Sequence, residues 1–283
     1  MRRTLKAGLS LFKIRVAEGL QYRIAGLTGA TIGIFWALIE LIVLTVFFTY
    51  GNNTVENLAT DSINGMTLAQ GVSYIWLVQI MVGFMGTNID GDLLGKITSG
   101  DVGIELCRPL DLYWHWFART AAGKASAVSV RGGITAVFGA MLSFLGFGGI
   151  GFGLPYSPLN FILFLISIFI AFLFSTAYCM FMTAIRMGIK WGDGPIHLIG
   201  VAGMILSGAF LPLQLWPDFM QAFLRLQPFA SYVDTPARLY VGSVSVETGL
   251  LSVAFQILWI AAFILLGRAI MKRKIKNVVI QGG

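Results

Sequence analysis

Charged residues are scarce in this sequence. Only 12% of its 283 residues are Asp, Glu, Lys or Arg, whereas 57% are hydrophobic. The mean hydropathy is +0.80. A soluble domain normally carries about 25% charged residues, because its surface faces water. The composition therefore excludes an ordinary soluble protein and indicates an integral membrane protein.

Cysteine and histidine are equally rare. Cys107 lies in a charged stretch and Cys179 in an apolar run, so no disulfide framework is indicated. Two histidines, His115 and His197, are too few for a multi-histidine metal site. No stretch matches the phosphate-binding G-x-x-x-x-G-K-[ST] pattern. A serine paired with either histidine stays open on composition alone, but no nucleophile elbow accompanies it. We therefore expect no catalysis and no cofactor in this chain by itself.

Long apolar runs are abundant. Each has about 20 residues or more, the length that an α-helix needs to cross the hydrocarbon core of a bilayer. The first run is too long for the apolar part of a signal peptide, and we expect it to be retained. We predict an all-α integral membrane protein with six transmembrane helices, at residues 24–50, 68–89, 127–150, 159–184, 195–213 and 248–271.

The basic residues predict the orientation of these spans. Of the 20 Lys and Arg residues, 18 fall on one face of the six-span arrangement, and only Arg225 and Arg238 fall on the other. Because cytoplasmic segments carry the excess of basic residues, both termini are predicted to be cytoplasmic, including the tail at 272–283. The net charge of +7 is then a feature of topology and not of nucleic-acid binding. We expect a multi-pass protein of the plasma membrane, the inner membrane in a bacterium.

The N-terminal arm, residues 1–23, combines apolar residues at helical spacing with basic residues on the other side. The apolar positions are Leu5, Leu9, Phe12, Val16 and Leu20. Such a pattern predicts a helix that lies in the cytoplasmic membrane interface, with its cations near anionic head groups. A disordered basic leader is the alternative.

The segment at 90–126 separates the second and third predicted spans and contains the stretch SGDVGIELCRPLD at 99–111. Its charged residues require water or a partner, yet it has more Ile, Leu and Val than a solvated loop needs. Pro109 ends one piece of it, because the residue before a proline avoids the helical conformation. The pattern indicates a short amphipathic element that docks in a groove of a partner. An ordinary interfacial loop is the alternative.

The segment at 214–247 separates the last two predicted spans. Pro217 and Asp218 suit the start of a helix, and Pro228 suits its end. A helix of about ten residues is too short to span a bilayer, so it must lie flat or enter and leave the same side. Phe219 and Phe223 fall on one face of it.

These two segments resemble those of the permeases of type-2 class ABC exporters. In that family a cytoplasmic stretch similar to Gly100–Leu110 couples the permease to a separate ATPase subunit. The resemblance therefore implies a coupling role for Gly100, Asp101, Ile104, Glu105, Leu106, Arg108, Pro109 and Leu110. It also implies a re-entrant external helical hairpin between spans five and six, with gate candidates Pro212, Trp216, Pro217, Phe219, Phe223 and Pro228.

The same resemblance implies a set of partners. Two ATP-binding cassette subunits would bind the ATP and Mg, which this chain does not. A second permease, either identical or, as the resemblance favours, a related chain, would complete the translocation path. The lipid bilayer is the remaining partner, and no nucleic acid is expected.

Glu40 lies inside the first predicted span. A carboxylate at that depth costs several kcal/mol unless it is paired, protonated or in contact with water. One reading places Glu40, Gln79 and Gln256 along the translocation path. The other is a structural hydrogen bond from Glu40 to Gln79 or Gln256, and the sequence leaves both open.

Small residues recur at packing distances in spans one and five. They are Gly29, Gly33, Gly200, Gly203 and Ser207. Such faces let helices approach closely in lipid. They are candidates for the contact with a second permease, and packing within the chain is an equal alternative.

We predict that the chain is the permease subunit of an ATP-driven exporter. The alternative is an ATP-independent secondary transporter or channel. Proteins of that kind often show internal repeats and charges within several membrane helices, whereas here only Glu40 is predicted to lie deep and no inverted repeat is evident. A scaffold or an enzyme of lipid chemistry would need a polar cluster near one interface, which the sequence does not show.

Overall fold

A computed structural model describes residues 2–51, 62–85, 89–107, 109–147, 149–189 and 194–276. The chain is helical in these ranges apart from turns and one short antiparallel ladder. In the ladder, β1 (Ser62–Ile63) pairs with β2 (Met66–Thr67). The all-α class predicted from the apolar runs is therefore confirmed.

The α-helices of the described ranges have the following bounds in chain order. They are α1 (Arg2–Gln21), α2 (Arg23–Gly51), α3 (Leu68–Met81), α4 (Gly91–Ser99), α5 (Val102–Leu106), α6 (Leu112–Ala127), α7 (Gly133–Phe144), α8 (Pro158–Arg186), α9 (Gly194–Leu206), α10 (Asp218–Leu226), α11 (Asp234–Val241) and α12 (Val246–Ile275). Short 3-10 turns lie at Val82–Phe84, Leu213–Leu215 and Pro228–Ser231.

Four helical segments are long and apolar enough to cross a membrane: Ile24–Tyr50, Leu112–Phe144, Pro158–Arg186 and Val246–Ile275. Two further apolar helices, Leu68–Phe84 and Gly194–Leu206, are shorter. Each of the six predicted spans therefore contains an apolar helix, but those of spans two and five are shorter than the usual crossing length. The chain is a multi-pass membrane protein.

The helix of the third predicted span begins earlier than residue 127. Its first residue is Leu112, because the side chain of Asp111 accepts a hydrogen bond from the N–H of Trp114 at 3.2 Å and caps the helix. The helix then runs through one π-helical turn, Val128–Gly132, and continues as α7. The predicted boundary at 126/127 lies inside it, because Arg119 and Lys124 were assigned to a loop.

α8 lies at the centre of the bundle and packs along α12, α6 and α11. Aromatic rings fill the space between α8 and α12, with Phe174 and Tyr178 both in edge contact with Phe263. α3 is the most enclosed of the apolar helices, and its Tyr74 and Trp76 are completely buried. The core is therefore continuous across the bundle and lined with aromatic side chains.

Contacts between distant parts of the chain define two ends of the bundle. We call the first the basic end: it comprises α1, α4, α5, the start of α6 and the end of α12, and Arg268 Nη2 lies 3.0 Å from Asp111 Oδ2 there. We call the second the hairpin end: it comprises β1, β2, residues 149–157 and 207–245. There the N–H of Tyr156 donates to the carbonyl of Tyr240 at 3.0 Å.

Candidate functional site

The helices α4 and α5 form the first candidate site, at the basic end. Asp90 caps α4 by accepting the N–H of Asp92 at 3.0 Å. The chain then reverses at Gly100, whose φ of 82° lies in the left-handed region that glycine adopts without strain. The five-residue α5 follows at once. The predicted coupling stretch is therefore a tight helix–turn–helix.

Glu105 points into the protein. Its side chain is 5% exposed, forms an ion pair with Lys96 of α4, and lies 3.6 Å from His115 Nε2 of α6. Val102 of the same helix is buried together with Leu93 in a cluster that includes Trp116. Glu105 thus fastens α5 to α4 and α6, whereas sequence reasoning treated it as part of a surface that meets a partner.

Two apolar side chains of α5 are exposed, one on either side of Glu105. Ile104 is 66% exposed and Leu106 is 42% exposed, and Asp101 and Pro109 are also exposed beside them. Gly100 and Leu110 are half-buried, and Arg108 lies outside the described residues. The predicted amphipathic character is therefore seen in the folded chain, with Ile104 and Leu106 at its outer edge.

A buried arginine joins α4 to α6. Arg119 Nε donates to Asp90 Oδ2 at 2.8 Å, and its Nη2 donates to Asp92 Oδ2 at 2.5 Å. The hydrogen bond from Arg119 lowers the pKa of Asp92 below its ordinary value. Arg15 of α1 adds a weaker contact to the same carboxylate at 3.8 Å. Sequence reasoning missed this cluster, since the aspartates and Arg119 are far apart along the chain.

A second candidate site lies between α2, α3 and the π-helical turn. Gln79 Nε2 donates to Glu40 Oε2 at 3.2 Å, so the predicted partnership with Gln79 is confirmed. The guanidinium of Arg131 lies beside Gly33 on the same face of α2: a methyl group placed on Gly33 would be 3.2 Å from Arg131 Nη2 and 3.5 Å from Gln79 Oε1. Glu40 and Gln79 are therefore joined within the apolar bundle, and Arg131 approaches the same glycine of α2 as Gln79 does.

Arg131 is the residue of this cluster that sequence reasoning missed. Its Nε is buried and has no hydrogen-bond partner among the described residues. It occupies a π-helical turn, a local irregularity that often marks functional sites. The available signal was a lone arginine inside an apolar run.

Gln256 is placed elsewhere. Its side chain is completely buried; the amide donates to the carbonyl of Ser231 at 3.0 Å, and its oxygen accepts from Ser167 at 3.0 Å. These bonds join α12 to α8 and to the hairpin end. The structure does not bring Gln256 to Glu40, so the alternative pairing of these two residues is wrong.

The small residues proposed for contact with another permease pack within the chain. A methyl group on Gly29 would be 3.4 Å from Arg131 Cδ, and one on Gly203 would be 2.9 Å from the Phe229 ring. Ser207 is buried, and Gly200 is half-buried beside it. Gly33 likewise faces Arg131. Packing within the chain therefore accounts for these positions, and their role in a permease contact stays a prediction.

The hairpin end presents the gate candidates. Pro217 precedes α10 directly, and Pro228 opens the 3-10 turn that follows it, as the spacing predicts. Phe219 is 84% exposed and Phe223 is 56% exposed on one face of α10, while Leu224 on the other face is buried. Pro212 is buried and Trp216 is half-buried in the turn before α10.

Asp234 is the polar centre of the hairpin end. It is 3% exposed, and it accepts hydrogen bonds from Tyr74 Oη at 3.1 Å and from the N–H of Leu213 at 3.2 Å. Arg238 Nη1 lies 3.6 Å from its other oxygen. Burial raises the pKa of Asp234 above its ordinary value. No sequence pattern indicated this network.

The arrangement is that of a polytopic helical membrane protein with a short, charged helix–turn–helix at one end. Within the described residues, no group of three or more His, Cys, Asp or Glu side chains could hold a metal ion. The model of the ABC-2 family transporter proteins matches residues 33–282, and the chain belongs to this family. Comparison with curated proteins gave no match. Membership makes the chain a membrane component of an ABC transporter, which works with ATP-binding cassette subunits.

Proposed function

We propose that this chain is the permease subunit of an ATP-driven exporter and contributes half of the translocation path. The observation that carries the proposal is that α5 is fastened yet open: Glu105 holds the helix to α4, and the apolar side chains of Ile104 and Leu106 stay exposed on either side of it. A short helix of this kind suits a hydrophobic groove on a partner, because its backbone is held in place before it docks. The partner would be an ATP-binding cassette subunit.

In this proposal the chain crosses the membrane six times and both termini are cytoplasmic. α3 and α9 are short for a crossing, but Leu68–Phe84 is enclosed by the other helices, and the irregular residues after α9 include buried Ser207. Non-helical backbone is tolerated at membrane depth where protein surrounds it. The basic end then faces the cytoplasm, and the hairpin end forms an external re-entrant hairpin of the plasma-membrane protein.

The complete transporter would contain two ATPase subunits, which bind ATP and Mg, and a second permease, identical or related. Closure of the ATPase subunits on ATP would push α4 and α5. The bond network of Asp90, Asp92 and Arg119 ties α4 to α6, and α6 continues into α7. A push at the cytoplasmic end would therefore move one long membrane helix.

Glu40, Gln79 and Arg131 are the proposed polar site of the translocation path. All three lie in or beside the apolar bundle, where polar groups are costly and are generally kept for function. Arg131 sits on the long helix that α4 contacts through Arg119. Motion of this helix would move the guanidinium relative to Glu40 and change which polar groups a passing molecule meets.

A second candidate function is an ATP-independent secondary transporter or channel. The observation that favours it is the number of polar groups inside the bundle, since Arg131 and Lys124 join Glu40 there. Lys124 is buried and donates to the carbonyl of Phe84 at 2.9 Å. Charges on several membrane helices are typical of secondary transporters.

Purification from the native membrane tests the proposal. The tagged chain, extracted in a mild detergent, should bring down an ATP-binding cassette subunit, identified by mass spectrometry, and ATPase activity. Ile104→Asp and Leu106→Asp should remove both, because a carboxylate cannot enter an apolar groove without losing its hydration. Leu154→Asp is the matched control, since Leu154 is 92% exposed at the hairpin end.

The opposite outcome is equally clear. A chain that elutes alone, without a nucleotide-binding partner or ATPase activity, refutes the exporter proposal, and the secondary transporter takes its place. If an ATP-binding cassette subunit co-purifies with the unchanged chain and with both α5 variants, the ATPase coupling lies elsewhere on the chain. A second permease in the same eluate distinguishes a heterodimer from a homodimer.

A further inference from the structure

A large cavity lies at the hairpin end between α10, α11 and the start of α12. Its volume is about 470 Å³, within the range of small-molecule sites. Most of its wall is apolar; the apolar lining includes Leu213, Leu224, Leu226, Leu239, Leu251 and Phe255. Such a wall suits an alkyl or acyl chain.

A second, polar compartment of about 370 Å³ adjoins the first. Gln221, Arg225, Arg238 and Thr248 line both compartments, so the two lie next to the same side chains. The polar compartment is lined by amide and hydroxyl groups, including those of Asn64, Gln214, Ser243 and Ser245. One compartment is thus apolar, and the other can form hydrogen bonds.

The two arginines of this space are the only basic residues that the positive-inside arrangement leaves on this face. Arg238 is 14% exposed, and its Nε is buried without a hydrogen-bond partner among the described residues. Arg225 is exposed and forms no ion pair within the described part of the chain. A buried guanidinium N–H without an acceptor is costly, and an anionic oxygen would satisfy it.

The carboxylates of the cavity do not supply that acceptor. Asp234 lines the apolar compartment, but its Oδ1 accepts from Tyr74 and Leu213, its Oδ2 lies 3.6 Å from Nη1 of Arg238, and Nε of Arg238 has no acceptor among the described residues. Asp218 lines the polar compartment at the first turn of α10, where the helix dipole favours its charge. Ser243 Oγ is a further buried group without a described partner. Donors therefore remain available for a ligand.

We infer that this space binds an anionic amphiphile, a molecule in which one carboxylate or phosphate group is joined to an alkyl chain. The anionic group would meet Arg225, Arg238 and Ser243, and the chain would lie along Leu224, Leu239 and Phe255. A cationic ligand would face two arginines, and an inorganic anion would leave the apolar compartment empty. The site goes beyond the proposed ATP-driven export, because it needs only the hairpin end.

Photolabelling tests the site directly. The full-length protein in nanodiscs of phosphatidylcholine is exposed to a long-chain fatty acid that carries a diazirine, and the labelled peptides are mapped by mass spectrometry. Labelling should be saturable and should fall within residues 213–255. The corresponding uncharged fatty alcohol should label about tenfold less, which is the ordinary effect of losing a charge-assisted hydrogen bond.

Matched arginine variants then test the charge. Arg225→Gln should lower labelling by about tenfold, whereas Arg268→Gln, at an exposed arginine of the basic end, should not change it. Arg238→Gln also disturbs Asp234 and could affect folding, so Arg225→Gln and Ser243→Ala carry the test. Leu251→Gln should weaken binding of the fatty acid and leave competition by inorganic phosphate unchanged.

The source of the ligand is decided by the lipid. If phosphatidylglycerol nanodiscs suppress labelling at 213–255, a membrane lipid supplies the headgroup; if labelling is equal in both lipids, a free amphiphile does. Either result supports the inference. Three results would overturn it. The acid and the alcohol could label equally, Arg225→Gln could label as well as the unchanged protein, or inorganic phosphate could compete while the alkyl chain of the ligand has no effect. None of these readouts depends on an ATPase subunit. The ligand site and the proposed ATP-driven export can therefore be refuted independently of each other.

Discussion

The two ends of the bundle are held together by different forces. At the basic end, ion pairs fasten α4, α5 and α12, and several of them reach the surface: Asp92 is 64% exposed and Arg268 is 46% exposed. At the hairpin end, the chain turns are fastened mainly by neutral hydrogen bonds, such as that from Gln70 Nε2 to the carbonyl of Val241 at 3.0 Å. Stacked rings of Phe152 and Tyr240 add to them.

The difference indicates how each end behaves. Exposed ion pairs contribute only about 0–1 kcal/mol each to the free energy of unfolding, so a segment that they fasten can still detach locally. Buried hydrogen bonds are costly to break, because the separated donor and acceptor cannot form hydrogen bonds with water. We therefore expect the basic end to open locally at a lower free energy than the hairpin end.

The largest effect should come from Asp234 at the hairpin end. Asp234→Ala leaves Arg238 and the N–H of Leu213 buried without their acceptor, whereas Tyr74 keeps the carbonyl of Gly208, and removing one member of a buried pair costs about 3–5 kcal/mol. Thermal unfolding in detergent should show a large fall in the melting temperature. Tyr74→Phe, which removes the hydroxyl that is shared between Asp234 and the carbonyl of Gly208, should cost about 1 kcal/mol. Equal effects of the two changes would contradict the central role of the carboxylate.

The matching change at the basic end is Glu105→Ala. It should cost about 2 kcal/mol, because Lys96 loses its partner but is 31% exposed and can reach water. Hydrogen exchange should rise in residues 91–106 and stay unchanged in residues 208–241. Exchange that rises equally at both ends would show that the two ends do not open independently.

Two glycines allow the packing of the two ends to be compared. Gly208 has φ of 84°, and a methyl group on it would be 3.2 Å from Leu213 Cγ and 3.3 Å from Asp234 Cβ, so Gly208→Ala should cost about 1–3 kcal/mol. Gly95 lies within α4 with no atom within 4 Å of an added methyl group. Gly95→Ala should therefore stabilise α4 by about 0.5–1 kcal/mol. Denaturant unfolding of both variants, compared with the unchanged chain, should give opposite signs.

Acid should affect the two ends in opposite directions. The lowered pKa of Asp92 means that its ion pair stabilises the folded chain above the ordinary value of 3.8 and that this contribution is lost as pH falls through the lowered pKa. The raised pKa of Asp234 means that its proton stabilises the folded chain below 3.8 and that this contribution is lost as pH rises through the raised pKa. Hydrogen exchange, corrected for its intrinsic pH dependence, should show protection falling in acid at 91–99 and rising at 211–240. Changes of one sign at both ends would contradict this assignment.

The smallest effect should come from Arg268. Its ion pair with Asp111 is exposed, and its guanidinium carbon also lies 5.7 Å from the centre of the Trp114 ring. Arg268→Gln should cost about 0.5–1 kcal/mol. The part of this stability loss that comes from the ion pair should disappear in high salt, because salt screens exposed charges. Unfolding measured at two salt concentrations would test this. A cost above that of Glu105→Ala would reverse the expected order.

Much of the helical architecture could be predicted from the sequence, because it depends on neighbours along the chain. Apolar runs of sufficient length mark the four long helices, and α10 lies between Pro217 and Pro228 as the turn residues indicate. Helical spacing alone places Phe219 and Phe223 on one face of α10, since they are four residues apart, whereas the exposure of that face is seen only in the fold. The start of α6 was misplaced, because Arg119 and Lys124 suggested a solvated loop.

The sites could be predicted only in part. The amphipathic character of α5 is visible in its residues, but which charges face inward depends on partners far along the chain. Glu105 is buried because Lys96 and His115 happen to lie beside it in the fold. Arg131 and Asp234 likewise gained their importance from contacts with α2, α3 and the turn before α10.

The sequence by itself determined that this protein is helical and built for a membrane, because hydropathy and run length act locally and need no knowledge of packing. Its segments at 99–111 and 214–247 resemble those of type-2 class ABC permeases, and the chain belongs to the ABC-2 family. The tertiary structure alone decided which polar side chains lie together: Glu105 with Lys96, Glu40 with Gln79, and Arg225 with Arg238 in the lining of one cavity. A polar group is satisfied or left open only by neighbours in space, and folding decides those neighbours.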